Sequence, residues 1–146
     1  MSERPSPEEI ILYEKDPKTK IATITFNRPE RGNAITSDTP ADLADAVERA
    51  DLDPDVHVIV VSGRGKGFCG GYDLSIFAEN GGDPSQDVDP HTVNPRTGTV
   101  LDPVVQARNH DPGRTWDPMI DYAMMSRFNR GFASLLHANK PTVAKL

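Results

Sequence analysis

At 146 residues the chain has room for one ordinary domain, whose core would bury roughly 70% of the surface the unfolded chain exposes, and leaves little room for a second. Sixteen Lys plus Arg against 22 Asp plus Glu give a net charge of -6. That balance argues against a broad electrostatic grip on nucleic acid or anionic lipid, so any anionic ligand has to be met locally. No apolar run approaches the roughly 18 residues of a membrane span, and the opening MSERPSPEEI has no apolar signal core, so the sequence reads as soluble and cytoplasmic. The single cysteine, Cys69, cannot form an internal disulfide and has no nearby partner for a structural zinc site.

Residues 1 to 9 are polar, contain Pro5 and Pro7, and read as a loose tail. IILY from Ile10 and IATITF from Ile21 are β-branched and aromatic runs either side of a turn-like Asp16-Pro17-Lys18, which predicts a hairpin. In TSDTPADLADAVERADLD, Leu43, Val47 and Ala50 recur at spacings of four and three, as one face of a helix requires. Thr39 is placed as its cap with Pro40 at the first helical position, and the helix ends near Asp53-Pro54. VHVIVVSG then reads as a strand buried on both faces, and the order strand, helix, strand implies a crossover in an α/β layer.

From Asn80 to Asp117 the chain carries five of its 13 prolines and few large apolar residues, which predicts a long excursion: a lid, a binding loop or a disordered segment. Asp117-Pro118 opens a second helix with a stripe of Met125, Phe128, Phe132 and Leu135, closed by Asn139-Lys140-Pro141. TVAKL begins another buried strand. Directly after the VHVIVVSG strand, Gly63, Gly65, Gly67, Gly70 and Gly71 place five glycines within nine positions. Such a segment lets the main chain approach a ligand and aim successive N-H groups at it, which outlines an anion or oxyanion site, with a plain glycine-rich turn as the alternative. A phosphate-binding P-loop fails, because Lys66 is followed by Gly67 and the leading glycine position holds Val60. Gly65, Gly67 and Gly70 satisfy the dinucleotide pattern literally, but its acidic partner would have to be Asp83, Asp87 or Asp89 inside the excursion, so this reads as a chance match.

Three stretches carry a resemblance. NRPERGNAI from Asn27, GKGFCGGYDL from Gly65 and HANKPTVAKL from His137 resemble, in order, the motifs of the enoyl-CoA hydratase/isomerase (crotonase) family. The resemblance implies a crotonase-like ββα spiral of the α/β class, with residues 10 to 146 forming its N-terminal portion and the Pro-rich stretch at 80 to 117 an insertion. It implies an acyl-CoA thioester whose carbonyl is polarised by main-chain N-H groups, with coenzyme A arriving as part of the substrate and no separate cofactor or metal. Position by position, Gly70 matches the oxyanion donor, Gly71, Tyr72 and Asp73 the segment lining the acyl-thioester site, Phe68 and Cys69 the backbone beside the adenine, and Arg31, Gly32 and Ala34 the first loop against the CoA. A homo-oligomer, trimer or hexamer, is the family's habit.

Where the family often has a small residue, Tyr72 narrows the pocket, offers a hydroxyl, or packs inward, the last being favoured. Cys69 reads as a packed thiol rather than a nucleophile. His57, His91, His110 and His137 are scattered, and Asp83, Ser85, Asp87 and Asp89 read as a solvated loop, since the calcium-loop glycine position holds Val88. Arg64 and Lys66 flank the glycines and are candidates for the CoA phosphates. Three readings follow: a lyase that hydrates a 2,3-enoyl-CoA, with isomerase or hydrolase activity as family alternatives; a truncated, inactive member of that family, because the second glycine segment and the proton-transfer carboxylates do not occur in these residues; or an unrelated small anion-binding domain.

Overall fold

The computed structural model describes residues 9–74 and 97–146. The expected hairpin is present as β1 (Ile11–Asp16) and β2 (Ile21–Phe26), paired antiparallel from Ile11 opposite Phe26 to Asp16 opposite Ile21. Its turn closes through Asp16, whose carboxylate accepts the Lys18 N-H at 2.8 Å and whose carbonyl accepts the Lys20 N-H at 2.9 Å. Helix α1 (Thr39–Leu52) leads from β2 to β3 (Val58–Gly63), which runs parallel to β2. Strand β4 (Thr142–Lys145) adds parallel to the far side of β3, giving the sheet order β1-β2-β3-β4.

Two units are distinguishable along the chain. One holds the residues up to Asp73 together with Asn129–Leu146, and the other holds Leu74–Phe128. The first has its core where the alternation of β2 meets the stripe of α1. Ala22, Ile24 and Phe26 point the same way from a pleated strand, and Leu43, Val47 and Ala50 lie along one side of the helix, so both sets are buried with Ile59 and Val61 of β3. Each large aliphatic side chain in that cluster contributes about 1.5–3 kcal/mol. Phe132 and Leu135, from the C-terminal turns of α3 (Pro118–His137), pack on the same cluster. Gly131 is what lets this helix come so near: a Cβ there would collide with the Pro40 carbonyl at the start of α1. The C-terminal end of α1 is closed by Lys140, whose ammonium donates to the Ala50 carbonyl at 2.7 Å and also to the Asp53 carbonyl.

Four expectations are corrected. Thr39 is the first helical residue rather than the cap; its hydroxyl accepts the Thr36 N-H at 2.9 Å, closing the turn before the helix, and Asp38 precedes it without a side-chain capping bond. Strand β3 is not buried on both faces: Ile59 and Val61 are buried while Val58 and Val60 are half-buried, because α1 packs on the face that Ile59 and Val61 share. Strand β4 forms as expected but is exposed along its whole length, standing at the margin of the sheet with Val143 half-exposed. The excursion contains a helix that its composition hid, α2 (Pro103–Asn109), started by the Asp102 carboxylate accepting the Val104 N-H at 2.8 Å. The stretch 80–96, with the calcium-like and dinucleotide-partner aspartates and His91, lies outside the described residues, as do residues 1–8 of the tail.

In the second unit α2 and the start of α3 meet at a polar corner. The buried Asn109 carboxamide accepts the Asp117 N-H at 2.9 Å and donates to the Asp117 carbonyl at 3.0 Å. Asp121 collects His110 Nε2 at 3.0 Å and the Trp116 indole N-H at 2.8 Å. Burial pushes the Asp121 carboxyl up, and the donors from His110, Trp116 and Asn109 together more than reverse this, leaving it below its ordinary value.

Candidate functional site

Two loops leave the same end of the sheet, because parallel strands β2 and β3 finish side by side at Phe26 opposite Gly63. The first, residues 27–38, makes a short 3-10 turn over Pro29–Arg31 and then reverses through two left-handed residues, Gly32 at φ 61° and Asn33 at φ 55°. Asparagine tolerates that conformation better than other residues with side chains. Asn33 is only 2% exposed, and its carboxamide is fully used. Its Oδ1 accepts the Arg28 N-H at 2.9 Å, while Nδ2 donates to the carbonyls of Arg64 at 2.9 Å and Gly67 at 2.8 Å. One buried side chain thereby ties the first loop to the second.

The second loop carries the glycines. A Cβ on Gly63 would run into the carbonyls of Gly67 and Phe68, so the turn closes this tightly only with glycine there. Gly71 sits at φ 95°, a region side-chain-bearing residues rarely adopt, with no atom within 4 Å of where its Cβ would be. The two loops then pair: the Ile35 N-H donates to the Gly71 carbonyl at 2.8 Å and the Asp73 N-H to the Ile35 carbonyl at 3.0 Å, a parallel bridge between Ile35 and Tyr72.

This geometry corrects the oxyanion assignment. The Gly70 N-H donates to the Gly32 carbonyl at 2.9 Å, so it is turned toward the first loop and engaged there. Sequence spacing places an amide in the turn without saying which carbonyl of another loop lies beneath it. The Gly71–Tyr72 peptide is oriented differently. Its C=O points at Ile35, and in a trans peptide the N-H points the opposite way, away from the first loop.

The remaining sequence candidates divide. Asp73 does not line an open site: it is 3% exposed, with Oδ2 accepting from Arg28 at 3.0 Å and Oδ1 from Arg31 at 3.1 Å. Arg31 stays half-exposed beyond that contact, and the carbonyls of Gly32 and Ala34 are taken by the Gly70 N-H and by Arg28 Nη1. Phe68 turns its ring inward onto Phe26, edge to face with centroids 5.5 Å apart, leaving only its backbone for a ligand. Cys69 is half-buried and, with Phe26, Phe68 and Val143, lines an apolar cavity of about 360 Å³. Tyr72 is 38% exposed rather than packed inward, and partial burial of its phenol pushes the group above its usual value. Arg64 bonds the Asn27 carboxamide at 3.0 Å, and Lys66 is exposed. Sequence reading gave no role to Arg28 or Asn33, although both stand in the NRPERGNAI motif. The usable signal was a polar residue able to adopt a left-handed backbone immediately after a glycine.

The family model for enoyl-CoA hydratase/isomerase matches residues 16–97. The chain belongs to the enoyl-CoA hydratase/isomerase family, and its fold is crotonase-like. Among curated relatives it is similar to Probable enoyl-CoA hydratase EchA14 of Mycobacterium tuberculosis, 50% identical over 66 residues, covering 45% of this chain and 26% of that protein. It is also similar to 1,2-epoxyphenylacetyl-CoA isomerase of Escherichia coli, 36% identical over 55 residues, covering 38% of this chain and 21% of that protein. Among solved structures, an enoyl-CoA hydratase from Mycobacterium smegmatis superimposes with a TM-score of 0.74 and 54% identity, covering 93% of this chain. The chain spans 39% of that structure's length. No helix among the described residues is long and apolar enough to cross a membrane.

Proposed function

We propose that these residues form the thioester-binding portion of an enzyme that adds water across the 2,3-double bond of an enoyl-CoA. The observation that carries this reading is the pairing of the two motif loops through Ile35 and Tyr72, which sets Arg31, Gly32 and Ala34 beside the Gly70–Asp73 turn. With the Gly70 amide committed, the carbonyl-polarising donor is reassigned to the Gly71–Tyr72 peptide, whose N-H faces away from Ile35. Hydration places negative charge on the thioester oxygen as it becomes enolate-like, and each pre-aimed N-H donor at such an oxygen is worth about 3 kcal/mol. Glycine at position 71 keeps the approach clear of a Cβ. Arg31, half-exposed, is the cation of this loop that a CoA phosphate would meet.

Coenzyme A belongs to the substrate in this reading, and no further cofactor is called for. We read the protein as cytoplasmic from its lack of an apolar run, and as a homo-oligomer because the family resemblance implies one. The test is loss of the conjugated-thioester absorbance of crotonyl-CoA, followed with the 146-residue chain and with a longer form extended to the length of its relatives. Turnover by the longer form, with binding alone by the 146-residue chain, is the expected result. If neither form binds nor consumes crotonyl-CoA, the reading falls. If the longer form binds the thioester and isomerises or hydrolyses it, the substrate class stands and the reaction is a different one.

A further inference from the structure

Asp73 presents a problem that the thioester site alone does not explain: a carboxylate 3% exposed is costly to bury, and the chain spends two arginines on it. Its two oxygens serve different cations, Oδ2 at 3.0 Å from Arg28 and Oδ1 at 3.1 Å from Arg31. Arg28 is itself fixed at two further points, donating through Nη1 to the Ala34 carbonyl at 2.9 Å and through its N-H to the Asn33 carboxamide at 2.9 Å. The Asp73 backbone adds its own bond, N-H to the Ile35 carbonyl at 3.0 Å. One residue therefore grips the 28–35 loop by its main chain and by both carboxylate oxygens.

The turn just before it is held to the first loop by main-chain hydrogen bonds, with no side-chain packing at Gly71. Gly71 is at φ 95° and its Cβ position is empty to 4 Å, so no packed neighbour on that side dictates where the turn stands. Its placement comes from bonds to the first loop: the Gly70 N-H on the Gly32 carbonyl, the Ile35 N-H on the Gly71 carbonyl at 2.8 Å, and Asp73, which closes the turn on its C-terminal side. Proton transfer is excluded as the role of Asp73, since both oxygens face guanidinium groups and the carboxylate is shut away from solvent.

We propose, resting on the reading that the Gly71–Tyr72 peptide meets the thioester carbonyl, that Asp73 is a positioning residue: through Arg28 and Arg31 it fixes where that peptide stands, without touching substrate. The consequence is specific. Loss of the Asp73 charge loosens recognition of the carbonyl more than recognition of the rest of the CoA molecule.

Calorimetric titration of the 146-residue chain with butyryl-CoA and with S-butyl-CoA, a thioether that keeps the alkyl chain but lacks the carbonyl, separates these effects. The wild-type chain is expected to prefer the thioester. Asp73→Asn is expected to weaken butyryl-CoA by roughly fivefold, the worth of one neutral hydrogen bond, while S-butyl-CoA changes by less than about twofold. Arg28→Lys keeps the charge but not the planar fork, and is expected to lose thioester preference in the same direction. It also serves as the deciding variant if circular dichroism shows Asp73→Asn unfolded. Equal weakening of both ligands makes Asp73 a merely structural residue and overturns the proposal, as does a variant that keeps the wild-type preference. A wild-type chain that binds both ligands equally removes the role of the peptide, and one that binds neither removes the CoA reading itself; the two results are distinct, and either overturns the proposal.

Discussion

Asp73 and Asp121 each gather several donors, and comparing them separates depth from chemistry. Asp73 is 3% exposed and takes arginines 45 and 42 residues away in the chain. Asp121 keeps a quarter of its side chain exposed and takes His110, Trp116 and Asn109 from 11, 5 and 12 residues away. Both are carboxylates satisfied by nitrogen donors. One is a desolvated latch joining two loops of the sheet unit; the other is a local clasp at a helix corner, where water competes for each of its bonds. Number of contacts is therefore a poor guide to their weight, and what replaces a lost partner is the better one.

The largest effect should show when each acid is truncated. Asp73→Ala leaves Arg28 and Arg31 facing a desolvated gap and is expected to cost about 3 kcal/mol, at the low end for a broken buried pair because Arg31 is half-exposed. Asp121→Ala is expected to cost less than about 1 kcal/mol, since water takes over its donors. Urea denaturation of both variants reads the difference, and equal losses would break the comparison. Asn33→Gly sharpens it from the neutral side. Glycine keeps the left-handed backbone, so the expected loss of about 2 kcal/mol reports the stranded Arg28 N-H and the carbonyls of Arg64 and Gly67 without added strain. A loss near zero would assign the joining of the loops to Asp73 alone.

The smallest effect is one of pH. The Asp121 carboxyl lies below its ordinary value of 3.8 in the folded chain, so the unfolded chain takes up its proton at higher pH than the folded one. The stability it contributes is thus complete above 3.8 and is lost as pH falls through the folded value beneath it. Trp116 is the only tryptophan and its indole donates to this carboxylate, so its emission reports the clasp directly. Emission is expected to hold steady at neutral pH and to change only below 3.8, with Asp121→Asn flat throughout. A transition centred above 3.8 in the wild type would show that the donors do not stabilise the charged form.

Much of the frame was legible because periodicity is local. The alternation of Ala22, Ile24 and Phe26 and the spacing of Leu43, Val47 and Ala50 give buried faces whatever the neighbours are, and all six are buried. In the helix stripe Phe128 is buried, but Met124 rather than Met125 accompanies it, a one-residue shift that an apolar pair cannot resolve from spacing. Helix α2 is masked by the Pro-rich composition around it, although Pro103 at the first helical position suits a helix start behind the Asp102 cap. Tyr72, expected to pack inward, stands 38% exposed with its backbone held in the bridge to Ile35, a pairing between distant loops that local spacing does not encode.

By itself, the order of residues determined the hairpin, the crossover helix, the glycine turn and membership of an acyl-CoA family, since these rest on each segment's own pattern and on motifs read within it. Only the tertiary structure decided which amide of the glycine turn faces which way, and that Asp73 is a buried anchor rather than a lining residue. The physical reason is that a hydrogen bond between loops depends on where two distant segments halt beside each other. Gly70 meets the Gly32 carbonyl because β2 and β3 end level with one another and Asn33 draws their loops together, and no spacing within either motif encodes that meeting.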